Sequence, residues 1–314
     1  STAWGSGVTD NNISWGKSYA DLAGGGGTPF TGLLDTYSGA AAAYSLRQLS
    51  STYSGDAIVV RRASDNTTQS IGFVNNELDT ASLESFCSGT DGFVTTWYDQ
   101  SGNANNATQA TASSQPKIVS AGSTITEGTK PVLSFNGSSN ILVAPDSDTL
   151  SFTDGAGNDT PLNIFTAYHN NATSNSIILG KDDGAPNREY ALGYFDADLR
   201  FYVKENGGNT QISKDNKDAG QLNYLLMSAF YDGSENVNGF TMFKNGVAST
   251  LGDVVGSTIN GMANTNANLY IGTYINNASF CFNGTIQEIV MYGSDQTTNR
   301  TGIETNINDF YSIY

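Results

Sequence analysis

The chain has 314 residues, with 14 Lys and Arg against 30 Asp and Glu, a formal charge of −16. Such a field repels polyanions, which excludes nucleic acid and anionic membrane surfaces as partners. Only 14% of the residues are charged, so hydroxyls and amides carry most of the surface polarity, a composition common in extracellular and virion-surface β-proteins. No run of 18 apolar residues is present, so no membrane-inserted helix is expected. The single histidine, His169, excludes a His-rich zinc site and reads as a strand-end surface residue.

In chain order, residues 1–30 are poor in aliphatics, hold Trp4 and Trp15, and end in Gly24–Gly27, a flexible joint. They read as an N-terminal anchoring arm that docks on a neighbouring subunit or on its own domain; residues 31–314 read as one elaborated domain. LLDTYSGAAAAYSLRQLS (33–50) has an alanine run and the spacing of an amphipathic helix. AIVVRRAS (57–64) and QSIGFV (69–74) flank a turn and form a hairpin, ELDTASLESFC (77–87) is a second helical turn, and GFVTTWYD (92–99) is a strand. From residue 131 onward, short β-branched and aromatic runs alternate with turns. Asn136-Gly137, Asp232-Gly233, Asn245-Gly246 and Asn283-Gly284 supply the residue types that accept positive φ. The closing segment 297–314 reads as a short helix. The pattern is all-β, a sandwich or barrel with a few short helices. Cys87 and Cys281 permit one disulfide but do not demand it.

The stretch TTWYDQSGNANNATQ (95–109) concentrates the polar chemistry. Three kinds of site are open. Glycoside hydrolysis needs two carboxylates, about 5–5.5 Å apart for retention or about 6.5–9.5 Å for inversion; the strand-borne acids are Asp99, Glu189, Asp196, Asp198 and Glu288, with Asp99 and Glu288 the candidate pair. Structural calcium needs six to eight oxygens, and Asp99, Asn103 and Glu288 with backbone carbonyls could supply them; Asp182 and Asp183 (KDDG) form a weaker loop of that kind. Asp99 can instead cap its own turn. A glycan platform needs aromatic faces beside amides. Trp97, Tyr98, Gln100 and Asn103 offer these, as do Tyr190, Tyr194 and Tyr202 near Arg188.

VLSFNGSSNILVAPDSDTLSF, IILGKDD, YALGYFDADLRFYV, LMSAFYDG, FTMFKNGVAS, LYIGTY and FNGTIQEIVMYG, preceded by DQSGNANNAT, resemble in order the strands of laminin-G-like, concanavalin A-like sandwiches over about residues 95–314. DTYSGAAAAYSLRQLSSTYSGDAIVVRRASDNTTQSIGF, SFC and YDQSGNANNATQ are similar to the N-terminal half of the α-L-arabinofuranosidase B catalytic domain. That resemblance implies a concanavalin A-like antiparallel β-sandwich (jelly roll). A counterpart of the family's Met-Glu-Asn-Gly-like nucleophile segment is not recognisable. The expectation is therefore a non-enzymatic carbohydrate-binding or attachment module of an extracellular or phage-surface assembly. Its partners would be glycans, such as cell-surface polysaccharide, and neighbouring subunits. The alternatives are an α-L-arabinofuranosidase-like glycoside hydrolase and a purely structural shell or fibre protein.

Overall fold

The computed structural model describes residues 29–153, 158–173, 175–205, 210–216, 224–275 and 280–314, without the side chains of 253 and 254. Trp4, Trp15 and the expected arm lie outside the described residues. Gly32–Tyr314 forms a unit of its own.

Two antiparallel layers make up this unit. In the first, Ala40–Ser45 pairs with Asn283–Tyr292, which pairs with Leu162–Asn170, then Tyr224–Tyr231, then Phe240–Lys244. In the second, Leu142–Ala144 is followed by Leu269–Ile271, Ser176–Asp182, Arg188–Phe195, Asp198–Lys204, Gln211–Asn216 and Leu251–Val255. The strands Leu133–Asn136, Lys117–Ser120, Gly92–Trp97 and Ala107–Thr108 connect the two layers, so the hydrogen bonding is continuous. The concanavalin A-like antiparallel sandwich expected from the sequence is the observed architecture.

Strand alternation sends every second side chain inward. Ile164, Tyr168, Met227, Ala229, Ile289 and Met291 of the first layer meet Tyr190, Leu192, Tyr194, Leu199, Phe201 and Val203 of the second in one core. The first layer is apolar on its outer side too. Phe165, Ala167, Leu226, Phe230 and Val290 are covered there by Leu33, Leu49 and the helix Arg300–Tyr311, through Ile303, Ile307 and Tyr311.

The alanine run departs from expectation. Leu33–Thr36 is a single helical turn, and Ala40–Ser45 is a strand buried at every position. Helix propensity lost to tertiary packing: alanine is small enough to fill a strand squeezed between layers, with Ala42 and Tyr44 in the main core and Ala43 in the outer cluster. Asn283-Gly284 also departs from expectation, because both residues begin the strand Asn283–Tyr292. A Cβ on Gly284 would lie 2.0 Å from the His169 carbonyl oxygen, so this glycine permits close strand approach instead of a turn. Asn245-Gly246, at φ 51° and 76°, does make the expected hairpin turn. Cys87 is a buried free thiol, so no disulfide joins the two cysteines.

One buried ion pair fastens the first strand to the last strand and the last helix. Arg47 Nε and Nη2 donate to Glu288 Oε2 and Oε1 at 2.8 and 2.9 Å, and Nη1 donates to Asn306 Oδ1 at 2.8 Å. Ser45 Oγ and Tyr311 OH also donate to Glu288 Oε2, at 2.7 and 3.1 Å. Removing one member leaves the other charge buried, which typically costs about 3–5 kcal/mol, while an apolar pair of similar volume is far better tolerated. Glu288→Ala is therefore expected to lower the urea-unfolding free energy by about 3–5 kcal/mol. Arg47→Met/Glu288→Leu should recover most of that loss in the same measurement.

Candidate functional site

The Asp99 loop is a structural hub. Asp99 is 5% exposed. Its Oδ1 accepts the Ala43 and Ser101 N–H groups at 2.8 and 2.9 Å, and its Oδ2 accepts Ser101 Oγ and the Asn105 N–H at 2.7 and 3.0 Å. Gln100 accepts the Leu49 N–H and donates to the carbonyls of Ser45 and Arg47. Asn103 Nδ2 donates to the carbonyls of Ala40 and Ala41, both at 3.0 Å. Asp99, Gln100 and Asn103 thus serve the alanine strand and its continuation. Asp99 and Glu288 border that same strand, but four protein donors satisfy the first and Arg47, Ser45 and Tyr311 satisfy the second. Neither carboxylate is open for a metal or for proton transfer, and among the described residues no cluster of three His, Cys, Asp or Glu has metal-binding geometry.

The glycan platform needs a similar correction. Trp97, Tyr190 and Tyr194 are each 0% exposed and belong to the main core. Tyr190 OH donates to the Leu150 carbonyl, and the Tyr194 and Tyr168 hydroxyls bond to each other at 2.9 Å. Tyr98 is half-buried one position beyond Trp97. Glu189 is buried against Lys181 Nζ at 2.5 Å and accepts the Thr265 N–H at 2.7 Å.

The outer face of the second layer assembles a different set. Ile177, Ala191 and Tyr202 form its floor, with the partly exposed rings of Phe195, Tyr274 and Phe280 packed on them. Phe195 lies 6.0 Å from Tyr202 and 6.1 Å from Tyr274, and Tyr274 lies 4.9 Å from Phe280. Gly180 permits this approach, because a Cβ there would sit 2.5 Å from the Cβ of Tyr274. Arg200 stacks over Phe195 at 5.2 Å and is held by Asp215 through Nε–Oδ1 at 2.6 Å and Nη2–Oδ2 at 2.8 Å.

Acids stand at both ends of this face. At one end, Phe195 pairs with Asp198 across a tight turn whose central residues, Asp196 and Ala197, have φ of 48° and 80°. That left-handed pair matches the twist of a two-residue hairpin. Asp196 is exposed beside Phe195, and Asp198 is half-exposed. At the other end Asp182 is 1% exposed. Tyr202 OH donates to its Oδ2 and the Gly184 N–H to its Oδ1, both at 2.8 Å. Arg188 Nε stands 3.4 Å from Oδ1. Burial raises the Asp182 pKa, against the lowering effect of these donors and of Arg188 and Lys204. Burial also drives the Tyr202 phenol well up, with Asp182 adding to it, and pushes the Lys204 ammonium down, with Arg188 repelling it.

Tyr202 near Arg188, and the acids Asp196 and Asp198, are expected candidates from the sequence, and the fold brings all four to this face. Phe195, Tyr274, Phe280 and Lys204 are not singled out by the sequence. The first of these was detectable as the odd-numbered partner of the tyrosines in EYALGYF.

Residues 33–146 match the family model for the catalytic domain of α-L-arabinofuranosidase B. An α-L-arabinofuranosidase B of Emericella nidulans is 38% identical over 92 residues, which are 29% of this chain and 16% of that protein. An α-L-arabinofuranosidase of Hypocrea jecorina is 36% identical over 91 residues, again 29% and 16%. The match thus spans about a sixth of the length of these curated relatives. Among solved structures, an arabinofuranosidase complexed with arabinofuranosyl-α-1,2-xylobiose superposes with a TM-score of 0.62 at 17% identity, covering 88% of this chain and 64% of that one. The resemblance to arabinofuranosidase B therefore holds at the level of sequence segment and fold. The matches overturn the expectation of a non-enzymatic attachment module, and with it the laminin-G-like and phage-structural readings, because the matched family and the relatives named above are arabinofuranosidases.

The saturated Asp99 loop makes a sharp expectation. Asp99→Ala strands buried N–H donors on two chain segments, at about 1–3 kcal/mol for each, so the urea midpoint should fall steeply. Calcium added to EDTA-treated wild-type protein should leave the melting temperature unchanged in calorimetry.

Proposed function

We propose that this chain is a glycoside hydrolase domain that releases α-L-arabinofuranosyl groups from glycans outside the cell. One observation carries the reading: the arabinofuranosidase B catalytic match over residues 33–146 continues into a sandwich that superposes on an arabinofuranosidase over 88% of the chain. The outer face of the second layer is where a sugar would bind. It offers partly exposed aromatic rings for C–H surfaces and carboxylates at its rim, and among the described residues no helix packs over it.

Hydrolysis of a glycosidic bond needs one carboxyl to hold a proton for the leaving oxygen and another to attack or to activate water. Asp99, Glu189 and Glu288 are committed to interior partners. Asp196 and Asp198 are not, and the turn that bears them stands next to Phe195 on the outer face. This turn supplies one of the two carboxylates, with the aromatic floor orienting the sugar ring.

Release of nitrophenol from 4-nitrophenyl α-L-arabinofuranoside tests the reading. Asp196→Asn and Asp198→Asn are the informative variants, since Asp196 is exposed and Asp198 half-exposed at the start of its strand, so neither change disturbs the core. One of them is expected to lower kcat by about 10²–10⁴-fold, with the melting temperature unchanged. Absence of wild-type turnover, or full activity in both variants, would refute the assignment.

A further inference from the structure

The end of the outer face remote from the Asp196 turn has an unusual charge arrangement. Arg188 and Lys204 both act on the one buried carboxylate of Asp182. Arg188 Nε is buried and makes no hydrogen bond, since its 3.4 Å approach to Asp182 lacks the geometry of one. Lys204 is 8% exposed, and its Nζ stands 5.6 Å from the centroid of the Tyr202 ring without a hydrogen-bond acceptor among the described residues. Asp182 is already engaged by the Tyr202 hydroxyl and the Gly184 N–H. Neighbouring acids are turned elsewhere: Asp183 bonds to the Tyr270 hydroxyl, and Glu205 accepts the Asn260 N–H.

Two cations sharing one carboxylate leave a net positive spot in a chain of formal charge −16. The Arg188 side chain is 32% exposed, so an anion can reach its guanidinium from solvent although the Nε itself is covered. A guanidinium presents paired donors that match a carboxylate in a fork, and the ammonium adds a point charge beside it. We infer that Arg188 and Lys204 form a subsite for a carboxylate-bearing sugar, a uronic acid branch on the glycan that lies along this face. The inference rests on the reading of the outer face as the glycan-binding face. It adds that the substrate is acidic at a position about 25 Å from the Asp196 turn, the length of the eight-residue strand between them. The general repulsion of polyanions by the chain makes the spot selective, because only an isolated anion delivered to this place gains from it.

Isothermal titration at low salt tests this with two probes. One is an oligosaccharide with a neutral backbone and a single glucuronic acid branch, and the other is the same compound with its carboxyl reduced to the alcohol. The acid is expected to bind at least about tenfold tighter, the scale of one charged hydrogen bond. The ratio should shrink as ionic strength rises. Arg188→Gln should bring it near one, and Lys204→Gln serves as the second variant if the first is poorly folded. Equal affinities in the wild type would overturn the subsite, and tighter binding of a sulfate-ester analogue would overturn its assignment to a carboxylate. Turnover of 4-nitrophenyl α-L-arabinofuranoside is read separately: a preserved ratio without turnover sinks the hydrolase reading alone, and turnover without a ratio sinks this subsite alone.

Discussion

The strand Ala40–Ser45 is buried on both sides, and the rest of the architecture depends on how its ends are tied. A fully buried strand has no water to satisfy its edge, so each free backbone group needs a protein partner. Its pairing to Asn283–Tyr292 satisfies one edge. The Asp99–Asn105 loop satisfies the other, with Asp99 receiving the Ala43 N–H and Asn103 and Asn105 donating to the carbonyls of Ala40 and Ala41. Beyond Ser45, Arg47 meets Glu288 and brings the helix Arg300–Tyr311 into register through Tyr311 and Asn306. That helix then covers the outer side of the first layer. The two layers become unequal as a result: one is closed on both faces, and the other keeps an outer face that no described helix covers.

This division explains what the segment match does and does not carry. Residues 33–146 include the alanine strand, the Asp99 loop and Arg47, which are parts of the tie. They end before Ser176–Asp182, Arg188–Phe195 and Asp198–Lys204, the strands of the outer face. The recognisable stretch therefore specifies how the sandwich is closed, while the proposed chemistry rests on later strands whose likeness to arabinofuranosidases is a likeness of fold. Function resides in the site and not in the scaffold, so assignment of an arabinofuranosyl substrate depends on the rim acids and the aromatic floor.

Most of the strand order was legible because amide-glycine turns punctuate it, and Asn245-Gly246 turned the chain as its dihedral preferences require. The same signal failed at Asn283-Gly284, where the glycine is demanded by a carbonyl from the neighbouring strand. No local pattern carries that information. The alanine run failed for a related reason, since propensity is a weak prior against burial between two layers. The proposed site was hidden by parity. In EYALGYF, Tyr190 and Tyr194 share one face and Ala191, Gly193 and Phe195 the other, and both faces are apolar enough to pass for core. A one-residue choice of register exchanges the two sets completely. The larger aromatics looked like the exposed platform, whereas size favours the core, where Tyr190 and Tyr194 also find hydroxyl partners.

The proposed role of the outer face as a glycan platform follows from what a weakly charged surface can do for a saccharide. Sugars present C–H faces and hydroxyls in place of charges, so rings and amides can hold them without the desolvation cost that strongly hydrated ions impose. Charge is then an instrument used locally. Arg200 is paired with Asp215 and stands over the Phe195 ring, which packs a ring of the platform. Arg188 and Lys204 outnumber the one carboxylate beside them, and the Asp196–Asp198 turn faces solvent with no cation bound to it in the described structure. Because the Asp196–Asp198 turn stands at one end and two cations share Asp182 at the other, the face has a direction. A chain of sugars lying along it would meet carboxylates at one end and excess cations at the other.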